Sequence, residues 1–353
     1  MTTVYGDITP RQAAFSMGSF LKRALPLLTI ERFGQQYPIP KNNTKLARFR
    51  RYYIDGGTGA YSGNAGPYSM PTALTPLTEG VTPAGKKFAN KDYEVELKQY
   101  GDFMGFTDVI MDLHEDYPAV LREMSEALGE ESANTLETLR FNVLKAGTNV
   151  FYANGASRAA VNTPITLATQ RRIVRSLKNQ NAKQFTQVLS SSPAYNTQPI
   201  EAAFIGLVHP NVENDIREMS GYINVKHYAN GTAPFPGEIG AVEDVRYISS
   251  TVFESWADAG GAATDVLSTT GTNADVYPIL YLARDAFGTV PLRGESMGAG
   301  RADMRAANIM VVTPKATNVD PLAQRGTAGW KAWNATVILQ DAFLVRAEVA
   351  ASE

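Results

Sequence analysis

Apolar side chains recur at three- and four-residue steps between about residue 118 and residue 146, and this spacing predicts a long amphipathic helix. Pro118 stands in the first turn, which tolerates proline, and Gly147 follows the last turn. At 1.5 Å per residue the helix would be roughly 40 Å long, enough to form the spine of a domain. Its predicted stripe consists of Leu121, Met124, Leu128, Ser132, Leu136, Leu139 and Val143, and its predicted solvent face carries Glu123, Glu126, Glu130, Glu131 and Glu137.

Shorter elements are predicted on both sides of this helix. Residues 12–25 allow a short helix, and residues 167–178 predict a second, basic one. Apolar alternation predicts strands, separated by loops rich in glycine and proline. The predicted strands are one or two within 91–110, single strands at 203–209, 245–251, 277–282 and 309–312, and one or two long strands within 330–349. Helices and strands in this mixed order indicate the α+β class.

Two smaller expectations concern individual side chains. Asn211 follows the strand at 203–209 and is expected to cap a short helix that contains Val212, Ile216 and Met219. Trp330 and Trp333 are expected to share one buried face of the C-terminal strand.

Residues 55–83 are crowded with Gly, Ser, Thr, Ala, Tyr and Pro, and they predict neither a helix nor a sheet that folds alone. A structureless stretch of about 30 residues is uncommon inside a compact domain and is usually functional or disordered. This one carries apolar groups that a disordered linker usually lacks, namely Tyr61, Tyr68, Met70, Leu74 and Leu77. We interpret it as an extended arm that becomes ordered by lying on a neighbouring chain.

Composition narrows the class of protein. The 353 residues include 33 Lys and Arg against 35 Asp and Glu, a formal charge of −2, which disfavours a surface built entirely to bind nucleic acid or anionic lipid. Charged residues are 19% of the chain, against about 25% in an average globular protein, which favours a chain that covers part of its surface with other chains. The absence of cysteine excludes disulfides, thiolate metal sites and cysteine nucleophiles. Neither a secretory signal nor a membrane span is predicted, so a soluble chain made in a cytoplasm is expected.

One motif resembles an enzyme site. Residues 294–298 fit the G-x-S-x-G pattern of a hydrolase nucleophile, with Ser296 as the nucleophile. That arrangement needs a histidine after the serine, whereas His114, His209 and His227 all precede it. A glycine loop with an incidental serine is the favoured interpretation, and we expect the chain not to be an enzyme.

Metal and phosphate sites are also disfavoured. One acidic cluster matches no metal-binding spacing; it consists of Asp108, Asp112, His114, Glu115 and Asp116. It is better explained by acidic residues that precede the N-terminus of a helix, where negative charge is favourable. His209 is expected to be a loop histidine bonded to backbone. The glycines at 56, 57, 59, 63 and 66 satisfy no phosphate-binding motif. No metal and no cofactor is therefore expected.

Two basic segments remain as candidate binding surfaces. The first contains Lys41, Lys45, Arg48, Arg50 and Arg51, and the second, in the basic helix, contains Arg171, Arg172, Arg175 and Lys178. Either could contact nucleic acid phosphates without sequence preference, or acidic groups on a neighbouring protein. Protein contact is favoured because the chain carries no net positive charge.

Four long blocks of sequence resemble a known family. They are LTEGVTPAGKKF, YEVELKQYGDFMGFTDVI, LGEESANTLETLRFNVLKAGTNVFYANG and GLVHPNVENDIREMSGYINVKHYANGTAPFPGEIGAVEDVRYISST. Together they resemble the major capsid proteins of tailed bacteriophages of the N-four podovirus type, from about Thr75 to Thr251. The resemblance implies the Hong Kong 97-type capsid fold.

By order along the chain, that fold implies five segments. They are an N-terminal arm at 1–54, an extended hairpin loop with its strands at 55–110, a peripheral domain with the spine helix at 111–198, an axial domain at 199–320, and C-terminal strands at 321–353 that return to the peripheral domain. Contacts between subunits would involve Tyr61, Tyr68, Met70, Leu74, Leu77, Lys86, Lys87, Arg48, Arg50 and Arg51, while Arg171, Arg172, Arg175 and Lys178 are the basic residues that could face DNA.

The resemblance also implies a function and partners. Such proteins form hexamers and pentamers that close an icosahedral shell around packaged double-stranded DNA, within a virion assembled in the bacterial cytoplasm. The partners expected are other copies of the chain, portal and decoration proteins, and a scaffolding protein encoded separately; no membrane is expected. Lys86 and Lys87 lie where some relatives form a covalent cross-link, but solvated charges are the preferred interpretation. The alternatives are another virion component, such as a decoration or fibre protein, and a serine hydrolase that uses Ser296.

Overall fold

The structure is a computed structural model that describes most of the chain. It covers residues 2–3, 29–37, 39, 44–55, 76–82, 85, 87–114, 117–185, 202–228, 233–290, 307–312, 314–316 and 320–353. Several expectations lie outside these residues: the helix at 12–25, the glycine run after residue 55, Lys41, Glu115, Asp116 and Ser296, and the predicted contact residues Tyr61, Tyr68, Met70, Leu74 and Lys86.

The predicted long helix is confirmed, with ends within one residue of the expected ones. The α-helices in the described part of the chain are α1 (Asp108–Leu113), α2 (Tyr117–Lys145), α3 (Leu167–Asn179) and α4 (Glu213–Glu218). Of these, α2 is the spine helix and α3 is the predicted basic helix. None of the described helices is long and apolar enough to cross a membrane.

Strands make up most of the remaining regular structure. The N-terminal strands are β1 (Thr2–Thr3), β2 (Gln35–Gln36), β3 (Leu46–Asp55), β4 (Lys87–Glu96), β5 (Lys98–Thr107) and β6 (Val150–Tyr152). The middle strands are β7 (Phe204–Val208), β8 (Tyr222–Asn224), β9 (Glu238–Val242), β10 (Val245–Ser249), β11 (Tyr277–Leu282) and β12 (Phe287–Thr289). The C-terminal strands are β13 (Ala307–Val312), β14 (Arg325–Asn334), β15 (Thr336–Ile338) and β16 (Leu344–Val349).

A four-stranded sheet packs against the spine helix. Its strand order is β1-β5-β14-β13, and β14 runs antiparallel to both β5 and β13. Leu128 and Leu136 of α2 pack against Phe106 of β5 and Trp330 of β14, and all four side chains are buried. Because strand side chains alternate between two faces, only one face of this sheet meets the helix.

A seven-stranded sheet forms the second and larger core. Its order is β6-β16-β11-β7-β10-β9-β8, and every residue of β7 and β11 is buried. Residues of β7 alternate between two clusters: Phe204 packs on the side of α3 and α4, and Ile205 packs on the side of the spine helix. Phe141, near the end of the spine helix, belongs to this second cluster. The spine helix therefore contacts both sheets.

Two small sheets complete the fold. One has the order β15-β12-β2, and the other is a ribbon in which β3 and β4 pair with each other over ten residues. The expected boundary after residue 54 therefore runs through a paired strand, because β3 belongs to the hairpin.

The C-terminal strands join both larger sheets. β13, expected in the axial domain, pairs with β14 beside the spine helix. β16, expected to return to the peripheral domain, pairs with β6, which lies within the expected range of that domain, and on its other side with β11. Residues 330–349 hold parts of three strands, because a break at Ala335 separates β14 from β15 and a short 3-10 turn at Asp341–Phe343 separates β15 from β16.

Three side-chain expectations are wrong. Glu137 is fully buried, not on the solvent face of the spine helix. Trp330 and Trp333 point to opposite faces of β14, since an odd spacing in a strand changes the face, and they pack in different clusters. The cap of the short helical segment after β7 is His209, whose Nδ1 accepts a hydrogen bond from the Asn211 N–H at 3.2 Å, while Asn211 donates its side-chain amide to Tyr277 Oη at 2.8 Å. His209 is therefore bonded to backbone, as expected.

Candidate functional site

The β3–β4 ribbon has two chemically different faces, which follow from its register. Residues 46, 48, 50 and 52 of β3 lie opposite residues 96, 94, 92 and 90 of β4 and share the outer face with them. Arg48 Nε donates to Glu94 Oε1 at 2.7 Å, and Arg50 forms a two-fold contact with Asp92, with both hydrogen bonds at 2.8 Å. Lys45 and Glu96 form a further ion pair at the base. The outer face is thus a ladder of exposed ion pairs.

These pairs shift the acidity of the carboxyl groups. The hydrogen bond from Arg50 lowers the pKa of Asp92 below its ordinary value, and Lys45 does the same to the pKa of Glu96. Arg50 in turn has its pKa raised, chiefly by its hydrogen bond with Asp92. Exposed pairs of this kind stabilise a fold only slightly because water screens them.

An exposed aromatic pair extends the outer face toward the end of the ribbon. Tyr52 and Phe88 stack with their ring centroids 5.3 Å apart and their planes at 7°. They remain 58% and 71% exposed, although aromatic rings of this size usually bury a large area. An exposed aromatic pair on a projecting ribbon is typical of a surface that another chain covers.

The inner face of the ribbon anchors it to the body. Phe49 and Leu97 are buried with Val290 and Leu339 in one cluster. Arg51 lies at this anchored side, where its Nη1 donates to Gln340 Oε1 at 2.9 Å and its guanidinium lies 5.9 Å from the centre of the Phe343 ring. All three predicted arginines of the ribbon therefore have partners within the chain.

The other predicted contact residues that the structure describes lie near this ribbon in sequence. Leu77 is 78% exposed, and Lys87 is the first residue of β4. The assignment of these residues to subunit contacts stays a prediction.

A second uncovered surface lies on the four-stranded sheet, on the face opposite the spine helix. Gly101, Phe103 and Gly105 of β5 share this face, and Gly329 of β14 lies directly opposite Phe103. Phe103 is 69% exposed, and Val312 of β13, on the same face, is 57% exposed. Sequence reasoning missed this surface, although the alternation Gly-x-Phe-x-Gly within a strand was its signal.

The basic helix α3 divides its charges between two environments. Arg171 pairs with Glu243 and Lys178 pairs with Asp244, both acids lying in the turn between β9 and β10. Arg172 and Arg175 instead line a cavity beside the helix. Two of the four basic residues predicted to face DNA are therefore paired within the chain.

A buried ion network fastens the chain at residues 29–31 to the spine helix. Glu137 accepts hydrogen bonds from the Thr29 N–H and hydroxyl, each at 2.8 Å, and from the Ile30 N–H. Arg140 pairs with Glu31 at 2.9 Å and with Glu137 at 3.4 Å. Burial raises the pKa of Glu137, and Arg140 opposes that shift. The sequence held no local signal for this network, because its members lie about 100 residues apart.

No metal site emerges in the part of the chain that the structure describes. There, no group of three or more His, Asp or Glu side chains converges in a way that could hold a metal ion. Asp108 instead begins α1 and accepts a hydrogen bond from the Val109 N–H at 2.9 Å. Burial lowers the pKa of His209, the residue that caps the turn after β7.

Comparison with solved structures defines the class of protein to which this architecture belongs. The capsid of Ralstonia phage GP4 is similar with a TM-score of 0.60 at 13% identity, covering 91% of this chain and 88% of that one. The head of Helicobacter pylori bacteriophage KHP40 is similar with a TM-score of 0.57 at 10% identity, covering 99% and 96%. The fold is thus the phage capsid fold of the Hong Kong 97 type that the sequence resemblance implied.

Sequence comparison then gives the family. A family model described as phage capsid protein matches residues 91–347, and the chain belongs to this family. The major capsid protein of Pseudomonas phage KPP21 is 26% identical over 233 residues, an alignment that covers 63% of this chain and 58% of the relative.

Proposed function

We propose that the chain is a major capsid protein, which self-assembles into hexamers and pentamers and closes an icosahedral shell around packaged double-stranded DNA. Membership of the phage capsid protein family and the name of the Pseudomonas phage relative support this proposal. The observation that carries it is the β3–β4 ribbon, whose stacked pair Tyr52 and Phe88 remains exposed on the single chain.

The physical reason is that the ribbon buries its inner face in its own body and leaves its outer face for another chain. A shell subunit touches several neighbours, so contacts that are modest individually can sum to a stable particle. Holding a projecting segment in one conformation costs roughly 1–2 kcal/mol per residue in backbone entropy, and covering it with a neighbour offsets that cost. The ion pairs along the ribbon keep its outer face soluble before assembly.

Other parts of the proposal concern partners and location. The role is structural and not catalytic, the chain resides in the capsid of the virion, and assembly takes place in the bacterial cytoplasm. Portal, scaffolding and decoration proteins are the expected partners besides other copies of the chain, and contact with the packaged DNA is independent of sequence. No observation favours the hydrolase alternative over this one.

The test is assembly of the purified chain, followed by size-exclusion chromatography and negative-stain electron microscopy. We expect capsomers or closed particles from the unchanged chain. A Tyr52→Ser/Phe88→Ser variant should remain folded and assemble poorly, whereas the matched Tyr52→Phe/Phe88→Tyr variant, which keeps both rings, should assemble normally. Trimers or isolated monomers from the unchanged chain would instead indicate a fibre or decoration protein.

A further inference from the structure

The cavity beside α3 has the chemistry of an anion site. It has a volume of about 300 Å³ and is lined by Phe151, Arg172, Arg175, Ser176, Asn179 and Gln180. Arg172 and Arg175 lie three residues apart on one face of the helix, so their like charges are neighbours. No carboxylate lines the cavity, and among the described residues neither arginine forms an ion pair. Two guanidinium groups next to a phenyl ring suit a carboxylate carried on a short apolar stem.

The charge arrangement on α3 favours a single side chain over a nucleic acid backbone as the occupant. Arg171 and Lys178 are neutralised by Glu243 and Asp244, so the helix does not present a stripe of four free cations to a row of phosphates. What remains is the pair Arg172 and Arg175 next to the ring of Phe151. A discrete carboxylate matches that geometry, because one guanidinium can bind it through two parallel hydrogen bonds.

The cavity also lies at one edge of the seven-stranded sheet. Phe151 belongs to β6, the first strand in the order β6-β16-β11-β7-β10-β9-β8. β6 pairs with β16 on one side, and in the described part of the chain its other side is unpaired. An edge strand of this kind is a place where another copy can join.

The opposite edge of the same sheet carries an unpaired acid. The last strand there is β8, in which Ile223 is 51% exposed, and α4 lies beside it. Within α4, Glu213 pairs with Arg217, and Asp215 is buried and accepts hydrogen bonds from Ser352. Glu218, at the end of α4, is exposed and has no ion pair among the described residues.

The two edges are therefore complementary in charge. α3 and α4 pack on the same face of the sheet, because Ile173 of α3 and Ile216 of α4 belong to one core cluster. Repeating a contact between unlike edges, with the same face kept on the same side, produces a ring whenever the rotation closes.

We propose that Glu218 of one copy enters the Arg172–Arg175 cavity of the next copy, in a head-to-tail contact between the β8 edge and the β6 edge. This inference rests on the proposed function, since the ring it generates would be the capsomer. It assigns the two arginines to contact between copies, the kind of contact that the sequence favoured over contact with DNA.

Zero-length cross-linking tests the contact directly. An Arg175→Lys variant keeps the positive charge and supplies an amine, which a water-soluble carbodiimide can couple to an adjacent carboxylate. Equal amounts of ¹⁴N- and ¹⁵N-labelled variant are mixed, treated, digested and analysed by mass spectrometry. We expect a cross-linked peptide pair of mixed isotope composition that joins position 175 to Glu218. The matched Arg171→Lys variant should give a link to Glu243 within one copy, with a single isotope.

The outcomes separate this inference from the proposed function. Links from position 175 that stay within one copy, that reach an acid outside residues 213–224, or that do not form at all would overturn the contact, even if shells assemble. A mixed-isotope link to Glu218 in a chain that forms no capsomers would support the contact and count against the proposed function.

An assembly measurement gives a second, independent result. An Arg172→Gln/Arg175→Gln variant should lose capsomers, whereas the matched Arg171→Gln/Lys178→Gln variant, with the same change of charge on the same helix, should retain them. Normal capsomers from the first variant, together with weaker binding of a short DNA duplex, would assign the cavity to DNA and overturn the proposal.

Discussion

Glu137 and Thr29, 108 positions apart in the chain, meet in the core, where the backbone N–H and the hydroxyl of Thr29 both donate to one Glu137 oxygen at 2.8 Å. This contact fixes the point at which the N-terminal segment joins the spine helix. The neighbouring Arg140, 2% exposed, depends on the same carboxylate and on Glu31. The attachment is therefore made of charged and polar groups that have no access to water.

Removing this carboxylate should destabilise the fold strongly. In a Glu137→Ala variant the buried donors of Thr29 and Ile30 lose their acceptor and Arg140 loses one of its two acids, so we expect a loss of about 3 kcal/mol or more in the free energy of unfolding. Glu137→Gln should lose less stability, because its amide oxygen can still accept hydrogen bonds from Thr29 and Ile30. Urea unfolding measures both variants, and Glu126→Ala on the same helix is the control. Equal stability of Glu137→Ala and the control would contradict the role of the network.

Asp92 should titrate below its ordinary pKa, and Arg50 should be the main cause. A carboxyl group whose folded pKa is lowered contributes stability above its ordinary value of 3.8, and that contribution disappears as the pH falls through the folded pKa. NMR titration of the carboxyl carbon should therefore give a value below 3.8, and Arg50→Gln should move it back upward. Arg48→Gln should move it less, since Arg48 Nε lies 3.7 Å from the carboxylate. A larger effect from Arg48 than from Arg50 would refute the assigned pairing.

Gly288 should tolerate no side chain, because the base of the ribbon packs directly on it. A β-carbon at this position would lie 2.7 Å from the Phe49 ring. We expect Gly288→Ala to cost about 1–3 kcal/mol of stability through overpacking and to increase proteolysis of the ribbon. Gly85→Ala is the matched control, since its added carbon would meet no described atom within 4 Å. Urea midpoints that are the same for the two variants would show that Phe49 moves aside freely.

The segment between the ribbon strands should be dispensable for folding but not for assembly. Asp55 and Lys87 are paired across the ribbon, so deleting residues 56–82 leaves Pro83, Ala84, Gly85 and Lys86 to join them. A loop of four residues is an ordinary length for a hairpin. We expect unchanged circular dichroism and urea midpoint, with no closed particles by electron microscopy. Normal particles from this deletion would show that the segment does not act between subunits.

The spine helix could be predicted almost to the residue because its signal is local. The three- and four-residue recurrence and the flanking Pro118 and Gly147 all lie within one stretch of sequence, and the helix found is Tyr117–Lys145. The burial of Glu137 could not be predicted in this way. On periodicity it belongs with the other glutamates of the outer face, and only residues about 100 positions earlier reverse that assignment.

The sequence predicted which segments form strands, but not which strands pair with each other. The alternation within residues 91–110 indicated strands, and β4 and β5 fill that stretch. Which charges would meet depended on register: Arg48 and Arg50 stand opposite Glu94 and Asp92 only because β4 returns beside β3 after a long connection. The same dependence on distant partners places β16 between β6 and β11, which lie about 130 residues apart in the chain.

The spine helix has one further consequence for a closed shell. Leu128 and Leu136 hold it under one sheet, while Phe141 and Leu144 hold it against the other. A continuous helix about 40 Å long resists bending, so the two sheets are expected to move together as one rigid body. Pentamers and hexamers require different angles between neighbouring subunits. A rigid body of this kind cannot provide both angles by bending internally. Curvature would then have to be accommodated at the β3–β4 ribbon, which makes this part of the subunit the joint of the shell.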